Sequence, residues 1–204
     1  MNPTTRRGLT LFPVVAVSHR ITTAGILADP DAPPCAPLAD VNTRTWRWVT
    51  VKLPVVATPS IGVLVPSGAG ESGSHDSAMG VPDTEEHWQQ LVASWTWADS
   101  DKSANDARKL AIWFGSIEAY PAVGEVSGTQ QRDLHECLLL TEAGPVHAAM
   151  FCLEPPRQPP AFYLSAYAAL GTGLWLGVLG RGPDEASQQE LLASLGTLRP
   201  KPQE

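Results

Sequence analysis

Residues 135–154, HECLLLTEAGPVHAAMFCLE, decide how this chain is read. Two short apolar runs flank Glu142-Ala143-Gly144-Pro145, where glycine and proline break any continuing element, and this pattern predicts a β-hairpin. With an even loop in which Glu142 faces Pro145, every cross-strand pair has the same number sum. His135 then stands opposite Cys152, and Cys137 lies diagonal to it. All three side chains share one face, two sulfurs and one imidazole, which is a partial ligand set for Zn²⁺ or a thiol redox pair. The competing explanation is plain packing, since unpaired cysteines commonly serve as small core hydrophobes. An odd loop would turn Cys152 to the opposite face.

Downstream, the prolines of PPRQPP (155–160) stiffen the exit from the hairpin, and their P-x-x-P spacing could also dock an SH3-like groove. FYLSAYAAL and LWLGVLG then flank Gly171-Thr172-Gly173 and predict a second hairpin. Residues 161–180 carry no charge and reach the length of a membrane span. Their glycines, threonine and tyrosines fit buried strands better, so no membrane insertion is expected. A closing helix is predicted with Pro183 at its first position, Asp184 and Glu185 in the first turn, Leu191, Leu192 and Leu195 inward, and Gly196 as its stop.

Upstream, WRWVTVKL (46–53) and IGVLV (61–65) read as strands from their aromatic and β-branched content. PSGAGESGSHDSAMG (66–80) reads as a flexible loop. Asp83 as N-cap and Glu86 three residues on form a capping box, and Trp88, Leu91, Val92 and Trp95 follow at helical spacing, which predicts a helix. A second helix is expected after Ser103 and Asp106, with Leu110, Trp113, Phe114 and Ile117 on one stripe, and LAIWF as a buried strand is the alternative. Residues 9–17 and 20–28 are short strands or an arm, joined through the proline-rich DPDAPPCAP (29–37). The expected layout is an arm or additional strands with this connector over 1–45, then a single domain over 46–204 with a flexible loop at 66–80. The expected fold class is α+β: a twisted, mainly antiparallel sheet of five to seven strands with two or three helices packed on one face.

Composition narrows the function classes. Of 204 residues, 43% are hydrophobic and 17% charged, which suffices for a sizeable core. A formal charge of −7 argues against a phosphate backbone as partner, so no nucleic acid is expected, and a charged partner would present a basic surface. Ten Arg against four Lys, with 19 Pro and 17 Gly, resemble the coding bias of a high-GC bacterial genome. Three cysteines permit at most one bridge. Arg6-Arg7 before LTLFPVVAV has the outline of an export signal, but Pro13, His19 and Arg20 interrupt it and no A-x-A site follows. The expected location is therefore cytoplasmic, with export as the alternative.

Ser74, His75 and Asp76 carry the names of a catalytic triad, yet adjacent loop residues cannot form the oriented relay. There is no G-x-S-x-G elbow and no phosphate-binding glycine loop. The seven tryptophans read mostly as core rather than as a ligand pocket.

Across the last 90 residues or so, AYPAVGEV (119–126), the hairpin over 134–153, GLWLGVLGRG (173–182) and LLASLGTLRP (191–200) follow one another in an order that resembles the PsbP-like α+β fold, including the LpqN-type lipoproteins of high-GC bacteria. The resemblance implies a twisted antiparallel sheet packed against helices, and a binding or accessory role without catalytic residues. The first 45 residues and the missing lipobox depart from it, so anchoring does not carry over. The leading expectation is a soluble, non-enzymatic protein-binding or accessory protein, of a secretion-accessory or immunity type, with no cofactor. The alternatives are a small thiol- or metal-dependent enzyme or metal-binding protein using His135, Cys137 and Cys152, and a structural subunit of a larger assembly.

Overall fold

In a computed structural model of the chain, the residues described are 32–35, 45–53, 60–73, 89–98, 107–116, 121, 123, 128–171 and 173–201. They form ten strands and one helix: β1 (Trp46–Val51), β2 (Ser60–Pro66), β3 (Gly70–Gly73), β4 (Gln89–Trp97), β5 (Arg108–Gly115), β6 (Gln130–Thr141), β7 (Gly144–Glu154), β8 (Ala161–Gly171), β9 (Leu174–Gly182), α1 (Glu185–Gly196) and β10 (Arg199–Lys201). Seven strands make one sheet in the order β3-β4-β5-β9-β8-β7-β6, and β1-β2-β10 make a second. All pairings within both sheets are antiparallel.

The protein is therefore mostly β, which corrects the α+β expectation of two or three helices on one face. Among the described residues there is one helix. Of the helix predicted through Trp88, Leu91, Val92 and Trp95, residues 89–95 are strand β4, and Asp83, Glu86 and Trp88 lie outside the described residues. The cause is local. The register of β4 on β5 shifts between Leu91 and Ala93, so Val92 is an extra residue. A bulge of this kind breaks the period-two pattern, and the apolar positions on either side then imitate helical spacing. Past the bulge the alternation is clear, with Ala93, Trp95 and Trp97 buried. The second helical expectation is strand β5, the LAIWF alternative. Ser103, Asp106 and Ile117 fall outside the described residues, as do 9–17, 20–28 and the Ser74-His75-Asp76 triplet. Within the expected loop 66–80, Gly70–Gly73 is the edge strand β3.

Residues 161–171 and 174–180 lie in β8 and β9, both interior to the large sheet. Their unbroken apolar character follows from burial on both faces: Leu164, Ala166, Tyr167, Leu176 and Val178 are at most 2% exposed. Among the described residues, no helix is long and apolar enough to cross a membrane.

Helix α1 lies between the sheets and joins them. Asp184 is its N-cap, accepting from the Ser187 backbone N–H at 2.8 Å and from the Ser187 hydroxyl. Pro183 thus precedes the cap rather than occupying the first helical position, and Gly196 is the last helical residue ahead of the C-cap Thr197. Leu191, Leu192 and Leu195 enter a core shared with Val51, Ile61, Val63 and Val65 of the small sheet and Leu110, Ile112, Leu164 and Val178 of the large one. Glycine beneath the helix allows the close approach. A Cβ on Gly180 would lie 3.1 Å from Leu191 Cδ1 and 3.4 Å from Leu164 Cβ.

The C-terminal end of α1 also completes a ladder. β10 covers β2 only over Ser60–Gly62, which exposes the next backbone groups of β2. The Ser194 hydroxyl donates to the Leu64 carbonyl at 2.5 Å, and the Leu64 N–H donates to Thr197 Oγ1 at 2.9 Å. Buried backbone groups demand such partners. Arg108 of β5 adds an ion pair to Glu190 of α1 at 2.7 Å.

Candidate functional site

The β6–β7 hairpin forms as expected, but in a different register. Thr141 faces Gly144, so the connection is Glu142-Ala143 rather than a loop closed by Glu142 and Pro145. Gly144 has φ 115°, a conformation that L side chains rarely adopt, and it lets the chain turn back directly after Ala143. The Thr141 hydroxyl donates to the Gly144 carbonyl at 2.8 Å and accepts from the Ala143 N–H at 3.2 Å. The Ala143 N–H also reaches the Leu198 carbonyl at 3.2 Å, docking the hairpin tip beside α1.

This register places Cys137 opposite Ala148 and His135 opposite Met150, which corrects the expected pairing of His135 with Cys152. Beyond His135 the pairing shifts again, and Cys152 stands opposite Arg132. Asp133 and Leu134 together oppose Phe151, a bulge, and Asp133 takes φ 54°. Left-handed backbone is uncommon for a residue with a side chain, though aspartate tolerates it better than most.

The three residues of the expected ligand set take separate paths. Cys137 is joined in a disulfide to Cys35, 102 residues earlier. Around that bond, the Cys35 N–H donates to the Leu138 carbonyl at 3.0 Å, the Leu138 N–H donates to the Pro33 carbonyl at 2.9 Å, and Pro34 bridges Leu138 in parallel. A sulfur held in a disulfide offers no thiolate to a metal. With only three cysteines in the chain, Cys152 is the one free thiol, and it is buried. Among the described residues, no group of three or more His, Cys, Asp or Glu side chains could hold a metal ion.

His135 and Cys152 nevertheless line one cavity, of about 300 Å³, together with Asp133, Met150, Phe162, Glu185 and Gln188. Its floor comes from the sheet: Met150 and Cys152 are two apart on β7, and Phe162 of β8 faces Cys152. The β6 bulge supplies Asp133, and the first turns of α1 supply Glu185 and Gln188. Gln188, 6% exposed, has its amide nitrogen committed to the β-strand carbonyls of Tyr163 at 2.6 Å and Phe151 at 3.3 Å. Two carbonyl acceptors fix which end of the amide is nitrogen.

Electrostatics set the state of the thiol. Burial pushes the Cys152 pKa up from its ordinary 9.0, and the charges of Glu154 and Asp133 raise it further against the lowering effect of Arg132. Arg132 is itself paired with Glu154 at 2.9 Å. At neutral pH the group is a protonated thiol, a poor nucleophile.

The cavity therefore has an apolar floor and a polar lining that mixes the carboxylates of Asp133 and Glu185 with His135, Gln188 and Gln189. Such a lining both donates and accepts hydrogen bonds. Sequence patterning located His135 and Cys152 together but missed Asp133, Phe162, Glu185 and Gln188. Glu185 was legible only as a helix-start acid, and Asp133 carried no signal before the bulge was known. Compared with known proteins, the chain matches no family model and no curated sequence.

Proposed function

We propose that this is a non-enzymatic binding or accessory protein that acts on another protein through the end of the large sheet where the cavity opens. One observation carries this reading: the cavity joins an apolar floor to polar side chains and two carboxylates, while its one cysteine is held as a protonated thiol. A wall of that kind suits anchoring a partner group better than activating a nucleophile, which needs a base within hydrogen-bond reach. Leu134, in the bulge between two cavity residues, is 54% exposed, an apolar contact placed beside the opening. The net charge of −7 favours a partner with a basic surface. The resemblance of the C-terminal elements to the PsbP-like fold points to the same class of role.

The Cys35–Cys137 disulfide supports work in an oxidising compartment, outside the cytoplasm expected from the sequence. Affinity capture from the native host, followed by mass spectrometry, tests the proposal. The expected result is one protein recovered in constant ratio, its yield falling as ionic strength rises. Recovery of no partner at low salt would overturn it.

A further inference from the structure

We infer that the Cys35–Cys137 disulfide is a redox latch: it holds residues 32–35 against the outer edge of β6, and its reduction frees that segment and opens the edge. This goes beyond the partner-binding reading and stands without it. β6 is the last strand of the large sheet, so one side of its backbone has no neighbour in that sheet. Residues 33–35 lie along this side. The Leu138 N–H donates to the Pro33 carbonyl at 2.9 Å, and the Cys35 N–H donates to the Leu138 carbonyl at 3.0 Å. The ladder stops there, because in this parallel register the next bond would run from residue 33 to the Glu136 carbonyl, and Pro33 has no N–H to give.

Little else holds the segment. Pro33 and Pro34 are exposed, and of residues 32–35 only Cys35 packs against the hydrophobic core. A backbone hydrogen bond contributes, net, about what it costs to fix one residue, so two such bonds do not offset the ordering of four. The covalent bond makes up the difference. What it covers is the Leu138 backbone, which continues an exposed run over residues 130–136. Leu134 and Leu140, two of the exposed large apolar side chains, stand on the same strand at 54% and 78% exposure. An open edge of this kind invites pairing with other extended segments, and a strap across it blocks that pairing. A dithiol reductant opens the latch by exchange. Its first thiolate attacks one sulfur and breaks the Sγ–Sγ bond, and its second displaces the protein from the mixed disulfide. The reductant leaves as a disulfide, and Cys35 and Cys137 each keep a proton as thiols. In a reducing compartment the edge stands open, and oxidation closes it.

Amide hydrogen exchange of the full-length chain, followed by NMR with and without dithiothreitol, tests the latch. In the oxidised chain the Leu138 amide should be protected. After reduction it should exchange within about tenfold of the rate of an unstructured peptide, while the amides of Ala166 and Val178 in the sheet interior stay slower by at least about a hundredfold. Removing dithiothreitol and adding oxidised glutathione should restore the Leu138 protection. Cys35→Ser should leave Leu138 fast with or without reductant. A Leu138 amide as protected in the reduced chain as in the oxidised one would overturn the inference, since the segment then stays docked without the bond. Loss of protection at Ala166 and Val178 together with Leu138 would also overturn it, because the bridge would then hold the whole fold rather than one edge. Fast exchange of Leu138 in the oxidised chain would show that no strap covers it. Partner capture plays no part in these outcomes, so their failure leaves the binding reading untouched.

Discussion

Cys152 lies opposite Arg132, while His135, three residues further along β6, lies opposite Met150 on the neighbouring strand. Two residues of β6 thus occupy one step of β7, and the surplus turns Asp133 toward the cavity with φ 54°. The bulge bends an edge strand and re-aims a side chain there, as bulges often do.

That conformation decides which replacements of Asp133 the fold tolerates. Asp133→Gly should change stability by less than about 1 kcal/mol, because glycine takes positive φ freely. Asp133→Val should cost about 1–3 kcal/mol, since a β-branched residue is strained there. Urea denaturation of both variants checks this, and equal stability of the two would argue against the bulge.

The Cys152 thiol should react slowly with iodoacetamide at neutral pH and gain reactivity only above about pH 9, its ordinary value being 9.0. Glu154→Gln should lower its pKa, because one raising charge goes and Arg132 is freed to act. The linkage sign follows. A pKa raised on folding favours the folded state fully below 9.0, and that contribution is lost as pH climbs through the folded value. Alkylation rates and denaturation midpoints between pH 7 and 11 measure both effects.

Removing the Cys35–Cys137 bond by a double Cys→Ser substitution should lower stability by about 2–4 kcal/mol, since the cross-link closes a long loop of the unfolded chain. Reductant should destabilise the native chain similarly in urea titrations and leave the double variant unaffected. A native chain indifferent to reductant would show that the bridge does not form.

Ser194→Ala and Thr197→Val each orphan one backbone group of Leu64, and each should cost about 1–3 kcal/mol. Neither residue touches the cavity, so partner capture should persist in both. Unchanged stability in both variants would count against α1 as the clamp between the sheets.

Hairpins were legible in the sequence because their determinants are local. Gly144-Pro145 and Gly171-Thr172-Gly173 mark turns on their own, and the apolar runs beside them have few alternatives. The closing helix was equally local, resting on the acids after Pro183 and the leucines behind them, although its start was read two residues early, at Pro183 instead of Glu185. β4 was misread because one bulged residue, Val92, moved its apolar positions out of alternation. β3, with the sequence GESG, has no apolar alternation to betray a strand, and β10 is only three residues long. The disulfide depends on Pro33–Cys35 running beside Leu138, a contact between distant segments that spacing does not encode. The cavity is likewise tertiary: Glu185 and Gln188 share its lining with Asp133 only because α1 folds back over β8 and β9. His135 and Cys152 were grouped on one face through a register displaced from the real one, and they still line the same cavity.

Binding through this cavity is tested most directly by quantitative partner capture with the native chain and with Asp133→Asn/Glu185→Gln. At matched thermal stability, partner recovery by the double variant should fall about tenfold or more, the loss expected when a desolvated charge contact is broken. Leu140→Ser, at an exposed position of β6 outside the cavity, should recover the partner in full. Equal recovery by the native chain and the double variant would contradict binding at this site.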